Sequence, residues 1–426
     1  MNDKKNLGYL DLGGASKSGD LLCRFSVTPA EGVSAEEAAD SLAAESSIGT
    51  WTDISTLPGD LKGRLRARVL EIAGNTAVIA YPDELFEGGN MPQVFSSVAG
   101  NIFGMKEVAA LRLEAVRFPA SLVSTFRGPA HGIQGIRKSL GIAGRPLCGT
   151  IVKPKLGLPP DEHAKVVYEA FANGCDVVKD DENLTSQPFS DFEERLRKTL
   201  DALRRAEDET GQAKAYVPNV TAPTEIMLRR AGQVAHLGGR VAMVDLVTCG
   251  WSGVQSLRGA ELGLILHGHR AMHAAFTRRA DHGISMAVLA RCARLAGIDQ
   301  LHVGTAVGKM AGGAGEVETC AGALRGSPAE PGEGTDGQDW LDVRPAMPIA
   351  SGGLHPGHVP AVVDLLGEDA ILQFGGGIHG HPGGTAAGSR AVRQALDAAL
   401  RGVSLPDAAG DAPELKAALD LWGSVS

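Results

Sequence analysis

The chain has 426 residues, 43% of them hydrophobic and 4% aromatic, with 41 basic against 50 acidic side chains and a net charge of −9. That much apolar material allows a sizeable core and excludes wholesale disorder, while the acidic balance gives no support for nucleic acid as a bulk partner and leaves room for a local cationic pocket. No apolar run approaches the ~20 residues of a membrane span, and the opening MNDKKNLGYLDLGG lacks the apolar core of a secretory signal.

Residues 1–135 are mixed in pattern. LLCRFSVTP and TAVIAYP read as strands, and SAEEAADSLAAESS reads as a helix with Ser34 as N-cap and Glu37 three residues on. A small α+β domain is the expectation. Beyond residue 145, short apolar, β-branched runs end in polar residues or glycine and alternate with helical stretches. The runs are 146-PLCGTIVKPK, 175-CDVVKDDE, 215-AYVPNVT, 242-AMVDLVT, 263-GLILHGH, 301-LHVGT, 346-AMPIASGG and 370-AILQFGGG. Between them lie helical patterns such as DEHAKVVYEAFANG (161–174), DFEERLRKTLDALRRAEDET (191–210) and PTEIMLRRAGQVAHLGG (223–239). Eight strand–helix alternations predict an α/β (β/α)8 TIM barrel over 136–426, with an open doubly wound sheet as the competing layout. The Pro/Gly/acid-rich stretch 326–339 reads as an exposed loop. Six scattered cysteines with no CxxC pair read as buried hydrophobes in a reducing compartment, so the protein is expected to be soluble and cytoplasmic.

The reactive side chains gather at the C-terminal ends of the runs, where barrel enzymes build their sites. In Lys179-Asp180-Asp181-Glu182 the period of two puts Lys179 and Asp181 on one side, with Glu182 following as the chain turns. Two carboxylates suit Mg2+, a hard cation that takes oxygen ligands. A lysine between them is odd, unless its neutral amine takes up CO2 as a carbamate and becomes a third anionic oxygen ligand. Taken alone, the run also reads as a solvated charged turn. Lys153 and Lys155 share one side of the first barrel strand end, suited to binding an anion or moving a proton, or simply to the surface. In HGHRAMH (267–273) no further ligand spacing supports zinc, and Arg270 is a natural phosphate fork. Ser351-Gly352-Gly353 and Gly375-Gly376-Gly377 end the last two strands and match a backbone phosphate cradle, with plain turn glycines as the alternative. The stretch 304–313 reads as a lid with glycine hinges and Lys309 at its tip.

Taken together these segments resemble the large subunit of ribulose-bisphosphate carboxylase/oxygenase (RuBisCO), nearest in layout to the archaeal type (form III). The likeness runs through AAESSIGTWT (43–52), AGNIFGMK (99–106), GTIVKPKLGL (149–158), GCDVVKDDENLTSQPF (174–189), HRAMHAAF (269–276), HVGTAVGKM (302–310), ASGGLH (350–355) and QFGGGIHGHP (373–382), in family order over nearly the whole chain. The resemblance implies a carbamylated Lys179 holding Mg2+ with Asp181 and Glu182. It implies that Lys153 moves protons during enolisation and final protonation, with Lys155 assisting, and that His269 handles proton traffic at the substrate hydroxyls. Lys309 would close over the site, and Glu45 and Asn101 would arrive from a neighbouring subunit, making a homodimer, or an assembly of dimers, the working unit. One phosphate of ribulose 1,5-bisphosphate would lie on Thr50, Trp51, Gly353, Gly375 and Gly376, the other on Arg270, His302 and Ser351.

The lid reads GKMAGG, whereas the carboxylase pattern usually carries an acidic residue at the position of Ala311. The main rival reading is therefore a RuBisCO-like enzyme using the same site on another sugar phosphate. It would be a 3-oxo-acid sugar phosphate decarboxylase, such as one acting on 3-oxoisoapionate 4-phosphate, or a methionine-salvage enolase/isomerase. A catalytically silent homologue is a third, set against an intact Lys179/Asp181/Glu182 set that such a protein has no need to bury.

Overall fold

The computed structural model describes residues 7–50, 52, 54–307, 313–326 and 337–424; Trp51, Lys309 and Ala311 lie outside them. The chain forms two compact units. The first comprises Met1–Gly128 together with Met272–Ala296 and Gly326–Val343, and the second comprises Pro129–Ala271, Gly297–Arg325 and Arg344–Ser426.

The first unit is built on a five-stranded sheet of β1 (Asp20–Pro29), β2 (Arg68–Ala73), β3 (Thr76–Pro82), β4 (Val108–Arg117) and the two-residue β10 (Gly283–Ile284), in the order β10-β4-β1-β3-β2. The helix Ala35–Glu45 carries the expected capping box: Glu37 N–H donates to Ser34 Oγ (3.2 Å) and Ser34 N–H donates back to Glu37 Oε2 (2.9 Å). Its inner face is mostly alanine (Ala38, Ala39, Ala43, Ala44 around Leu42), which allows close approach to its neighbours. The stretch 326–339 departs from the exposed loop expected of its composition where its end is described. Gln338 is buried because its amide bonds both the N–H and the C=O of Phe118 (2.9 and 3.0 Å). Trp340, buried just beyond it, lies 3.7 Å under the Arg294 guanidinium.

The second unit contains all eight strands anticipated from the apolar runs: β5 (Leu147–Ile151), β6 (Val177–Lys179), β7 (Ala215–Val217), β8 (Val241–Asp245), β9 (Ile265–His269), β11 (Gln300–His302), β12 (Met347–Ser351) and β13 (Ile371–Phe374). They are parallel, in the order β7-β6-β5-β13-β12-β11-β9-β8. The outer two meet just past β7, where Val220 N–H donates to Met243 O and Met243 N–H to Pro218 O, both at 2.9 Å. That closure makes the sheet a barrel and removes the open alternative. The strands are buried on both faces, which is why they read as continuous apolar runs without alternation. The helix Gly132–Leu140 closes the bottom, packing Ile133, Ile136 and Leu140 against Leu147, Val177, Ile265, Met347 and Ile371. The N-terminal mouth is thus apolar, and the polar strand ends are left to the opposite one. Among the described residues no helix is long and apolar enough to cross a membrane.

Candidate active site

Lys179 is the last residue of β6 and points into the barrel, 1% exposed. Its Nζ donates to Asp180 O (2.8 Å), meets Met243 Sδ at 3.5 Å and stands 4.0 Å from Glu182 Oε2. Burial holds its pKa below the ordinary lysine value, against the pull of Glu182, Asp181 and Asp245. Asp181 is buried beside it and receives Lys153 Nζ at 2.6 Å. The Glu182 carbonyl accepts Asn219 Nδ2 (2.9 Å), and its carboxylate lies 3.5 Å from His269 Nε2. Lys153, Lys179, Asp181, Glu182 and His269 are therefore brought together at one mouth.

Among the described residues no three His, Cys, Asp or Glu side chains converge as a ready-made metal cluster. What converges is two carboxylates and an amine that burial discourages from carrying a proton. A neutral amine is the form that reacts with CO2, and its carbamate would complete an all-oxygen donor set, so the residues fit Mg2+ through modification of Lys179.

Asp245, at the end of β8, belongs to the same cluster and was not singled out from sequence. It is 4% exposed, its Oδ1 lacks a hydrogen-bond partner, and it lies 3.4 Å from His269 Nδ1. Burial, helped by Asp181 and opposed by Lys179, pushes its carboxyl up to about 7. His269 is held down to about 3, chiefly by burial and then by Lys179, so its imidazole is neutral. Ala271 N–H donates to its Nδ1 (3.1 Å), which leaves the proton on Nε2, facing Glu182. His302 Nε2 lies 2.8 Å from His267 Nε2, and His267 Nδ1 is 3.0 Å from Gln300 Oε1. Burial keeps both of these rings neutral as well. His267 was legible as the period-two partner of His269, and Asp245 as one more polar strand end.

Arg270 is 7% exposed, and its Nη1 has no partner among the described residues. A buried guanidinium nitrogen without a partner is a donor prepared for an anion. Gly304 (φ +104°) makes room for it, since a Cβ there would come within 3.0 Å of Arg270 Nη2. Arg270, His302 and Ser351 follow or end β9, β11 and β12, which are adjacent in the sheet. Gly353, Gly375 and Gly376 follow β12 and β13, the latter paired with the strand that leads to Lys153. A Cβ at Gly375 would stand 3.3 Å from Lys153 Cε, whereas one at Gly376 would meet open space. Anion-receptive groups thus gather at the ends of β9, β11, β12 and β13, at the same mouth as the carboxylates. Lys155 is exposed, 3.4 Å from Asn183 Oδ1. Glu45 closes its helix in the first unit, where Thr50 is half-buried and the exposed Asn101 opens a 3-10 turn that buries Ile102.

Beneath the cluster, Asp180 is wholly buried. Burial alone would raise its carboxyl, but the Arg195 guanidinium, His163 and Tyr216 outweigh that and hold it well below the usual carboxylate range.

Residues 132–422 match the family model for the ribulose bisphosphate carboxylase large chain, catalytic domain, and residues 8–122 match the model for its N-terminal domain. A ribulose bisphosphate carboxylase of Methanosarcina acetivorans is 50% identical over 423 residues, covering 97% of this chain and 98% of the relative. One from Methanocaldococcus jannaschii is 48% identical over 427 residues, covering 98% and 100%. The octameric enzyme of Pyrococcus horikoshii, solved in complex with sulfate ion, superposes with a TM-score of 0.92 at 46% identity over 98% of this chain and 97% of its own. The dimeric archaeal enzyme of Hyperthermus butylicus gives a TM-score of 0.92 at 45% identity over 99% and 100%. With both domains matched and relatives about half identical from end to end, this chain belongs to the ribulose bisphosphate carboxylase large-chain family of carbon–carbon lyases.

Proposed function

We propose that the protein is a Mg2+-dependent ribulose-1,5-bisphosphate carboxylase with an oxygenase side activity, working in the cytoplasm as a homodimer or an assembly of dimers. The observation that carries this reading is the convergence of Lys153, Lys179, Asp181, Glu182 and His269 at one barrel mouth. Lys179, as its carbamate, would hold Mg2+ with Asp181 and Glu182. The bound ion supplies a Lewis acid for the negative charge that develops on the enediolate.

Lys153 is the half-exposed amine at the mouth, paired with Asp181; it moves protons during enolisation and at the final protonation of the carbanion, with Lys155 assisting. His269, kept neutral, accepts and returns protons at the substrate hydroxyls. Arg270, His302 and Ser351 take one phosphate; Gly353, Gly375 and Gly376, with Thr50 and Trp51, take the other. Since His267 donates from Nδ1 to Gln300 Oε1, its Nε2 accepts His302 Nε2–H, and His302 Nδ1 donates to an anion only when the ring takes up a second proton. Lys309 closes over the site and stabilises the new carboxylate, and Glu45 and Asn101 come from a second chain. The dimeric and octameric states named for two solved neighbours support that assembly.

The test is direct. Protein preincubated with Mg2+ and bicarbonate receives ribulose 1,5-bisphosphate and labelled CO2, and acid-stable label is expected in 3-phosphoglycerate, in one of the two molecules formed per turnover. Lys179→Ala abolishes it; full activity in that variant overturns the reading. Ala311 in the lid favours the alternative, enolisation or decarboxylation of another sugar phosphate. Wild-type protein that forms the carbamate yet fixes no label points there.

A further inference from the structure

Of the four residues Lys179-Asp180-Asp181-Glu182, Asp180 alone turns its side chain away from the mouth, into the layer between the barrel and its helices. It is wholly buried, and both of its oxygens are occupied. Oδ1 accepts Tyr216 OH at 2.6 Å and lies 3.1 Å from His163 Nε2; Oδ2 accepts Asn219 N–H at 3.1 Å and Arg195 Nη2 at 3.3 Å. These partners stand on the helix Pro160–Ala172, the helix Phe192–Thr210, β7 and the turn that follows β7.

Two of them reach back to the segment that carries the carboxylates. Arg195 donates to Thr185 O (2.6 Å) and to Ser190 O and Oγ (both 3.1 Å), pinning the loop downstream of Glu182. Asn219, whose N–H is fixed by Asp180, donates from Nδ2 to Glu182 O (2.9 Å). Asp180 is therefore tied to Glu182 through Asn219 and to the loop at Thr185 and Ser190 through Arg195, besides the backbone that joins it to Asp181.

A barrel wall does not need an ionic cluster for stability, because well-packed apolar residues of similar volume usually do as well without the desolvation cost. What apolar residues cannot do is hold a chosen N–H and chosen carbonyls at fixed points. We propose that Asp180 is a positioning residue that holds Glu182 through Asn219 and the downstream loop through Arg195, and so keeps the Asp181–Glu182 segment in its cation-binding arrangement. The inference rests on the reading of Lys179, Asp181 and Glu182 as the Mg2+ site.

The test uses Mn2+ as the probe cation, with bicarbonate present and free Mn2+ read by electron paramagnetic resonance. Carbamate on Lys179 is followed by 13C NMR, and inorganic phosphate binding is measured in parallel. Asp180→Asn is expected to raise half-saturating Mn2+ by about tenfold or more, as loss of a group that orients metal ligands does. The carbamate signal should weaken, with phosphate binding unchanged. Tyr216→Phe, which removes one bond and keeps the charge, is expected to shift Mn2+ in the same direction by a smaller factor. A folded Asp180→Asn protein with wild-type Mn2+ half-saturation overturns the proposal, as does an equal loss of Mn2+ and phosphate binding. If Asp180→Asn does not fold, an unshifted Tyr216→Phe overturns it instead. Asp181→Asn is the control: if it leaves Mn2+ binding intact, the metal-site reading fails, and not the role of Asp180 within it.

Discussion

Asp245 shares the barrel mouth with Asp181 and Glu182 but has neither the ion pair of the first nor the exposure of the second. Its unpartnered Oδ1 and its near-complete burial make the charged form costly, which is why its carboxyl rises from the ordinary 3.8 to about 7. The sign follows from proton counting. The folded chain holds this proton more tightly than the unfolded chain, so its contribution to stability is full below about 3.8 and is lost as pH rises through about 7. Asp245→Asn removes that loss. In metal-free protein the melting temperature of the variant relative to wild type is expected to rise by several degrees between pH 5 and 8, because the roughly two pH units between 5 and the folded-state value carry about 2–3 kcal/mol. A difference that stays flat across that range contradicts the assignment. The same residue shows what the sequence makes legible. That polar residues end barrel strands can be read from a run such as AMVDLVT. That Asp245 lacks a partner while Asp181 has Lys153 depends on strands 28 residues apart in sequence and more, so it waits for the fold.

At the scale of elements, the last helix, Pro413–Trp422, buries Leu415 and Ala418 and is fastened to the helix Gly384–Leu400 by polar contacts at its first turn. The Glu414 carboxylate accepts Arg390 Nε and Gln394 Nε2, both at 2.8 Å, and the Gln394 carbonyl takes Leu415 N–H at 2.9 Å. Gln394 first, then Arg390, pull the Glu414 carboxyl down to about 2. A depressed carboxylate stabilises above its ordinary value and stops doing so as pH falls from about 4.5 through about 2. Amide protection in this helix, corrected for intrinsic exchange, is expected to drop a few-fold more steeply than in the barrel strands over that range. Glu414→Gln should flatten the extra drop; an unchanged pH profile in the variant would count against the contact. Elements themselves were legible where an apolar run or a cap sets them, as in the eight strands and the Ser34–Glu37 box. β10 was not, because two residues carry no period and it exists only by pairing with β4. Nor was the burial of Gln338, because Gly/Pro/acid composition describes solvation and says nothing of one amide finding Phe118.

For the whole molecule, the proposed chemistry is divided between two compact units: Lys153, Lys179, Asp181, Glu182 and His269 on the barrel, and Glu45 and Asn101 on the first. If each site takes its Glu45 from a second chain, two different inactive chains complement each other. In a hybrid dimer of Glu45→Gln and Lys179→Ala chains, one site receives both defects and the other receives neither. Random pairing makes about half of the dimers hybrid, each with one of its two sites intact, so a co-expressed mixture should recover about one quarter of wild-type turnover, in a closed symmetric dimer. Either homodimer alone should show almost none. Sites made within single chains would gain nothing from mixing, and the mixture would stay as inactive as its parents. Recovered activity should also fall on dilution if the hybrid dissociates. A trace of wild-type contamination is excluded when each parent, prepared in the same way, stays inactive alone.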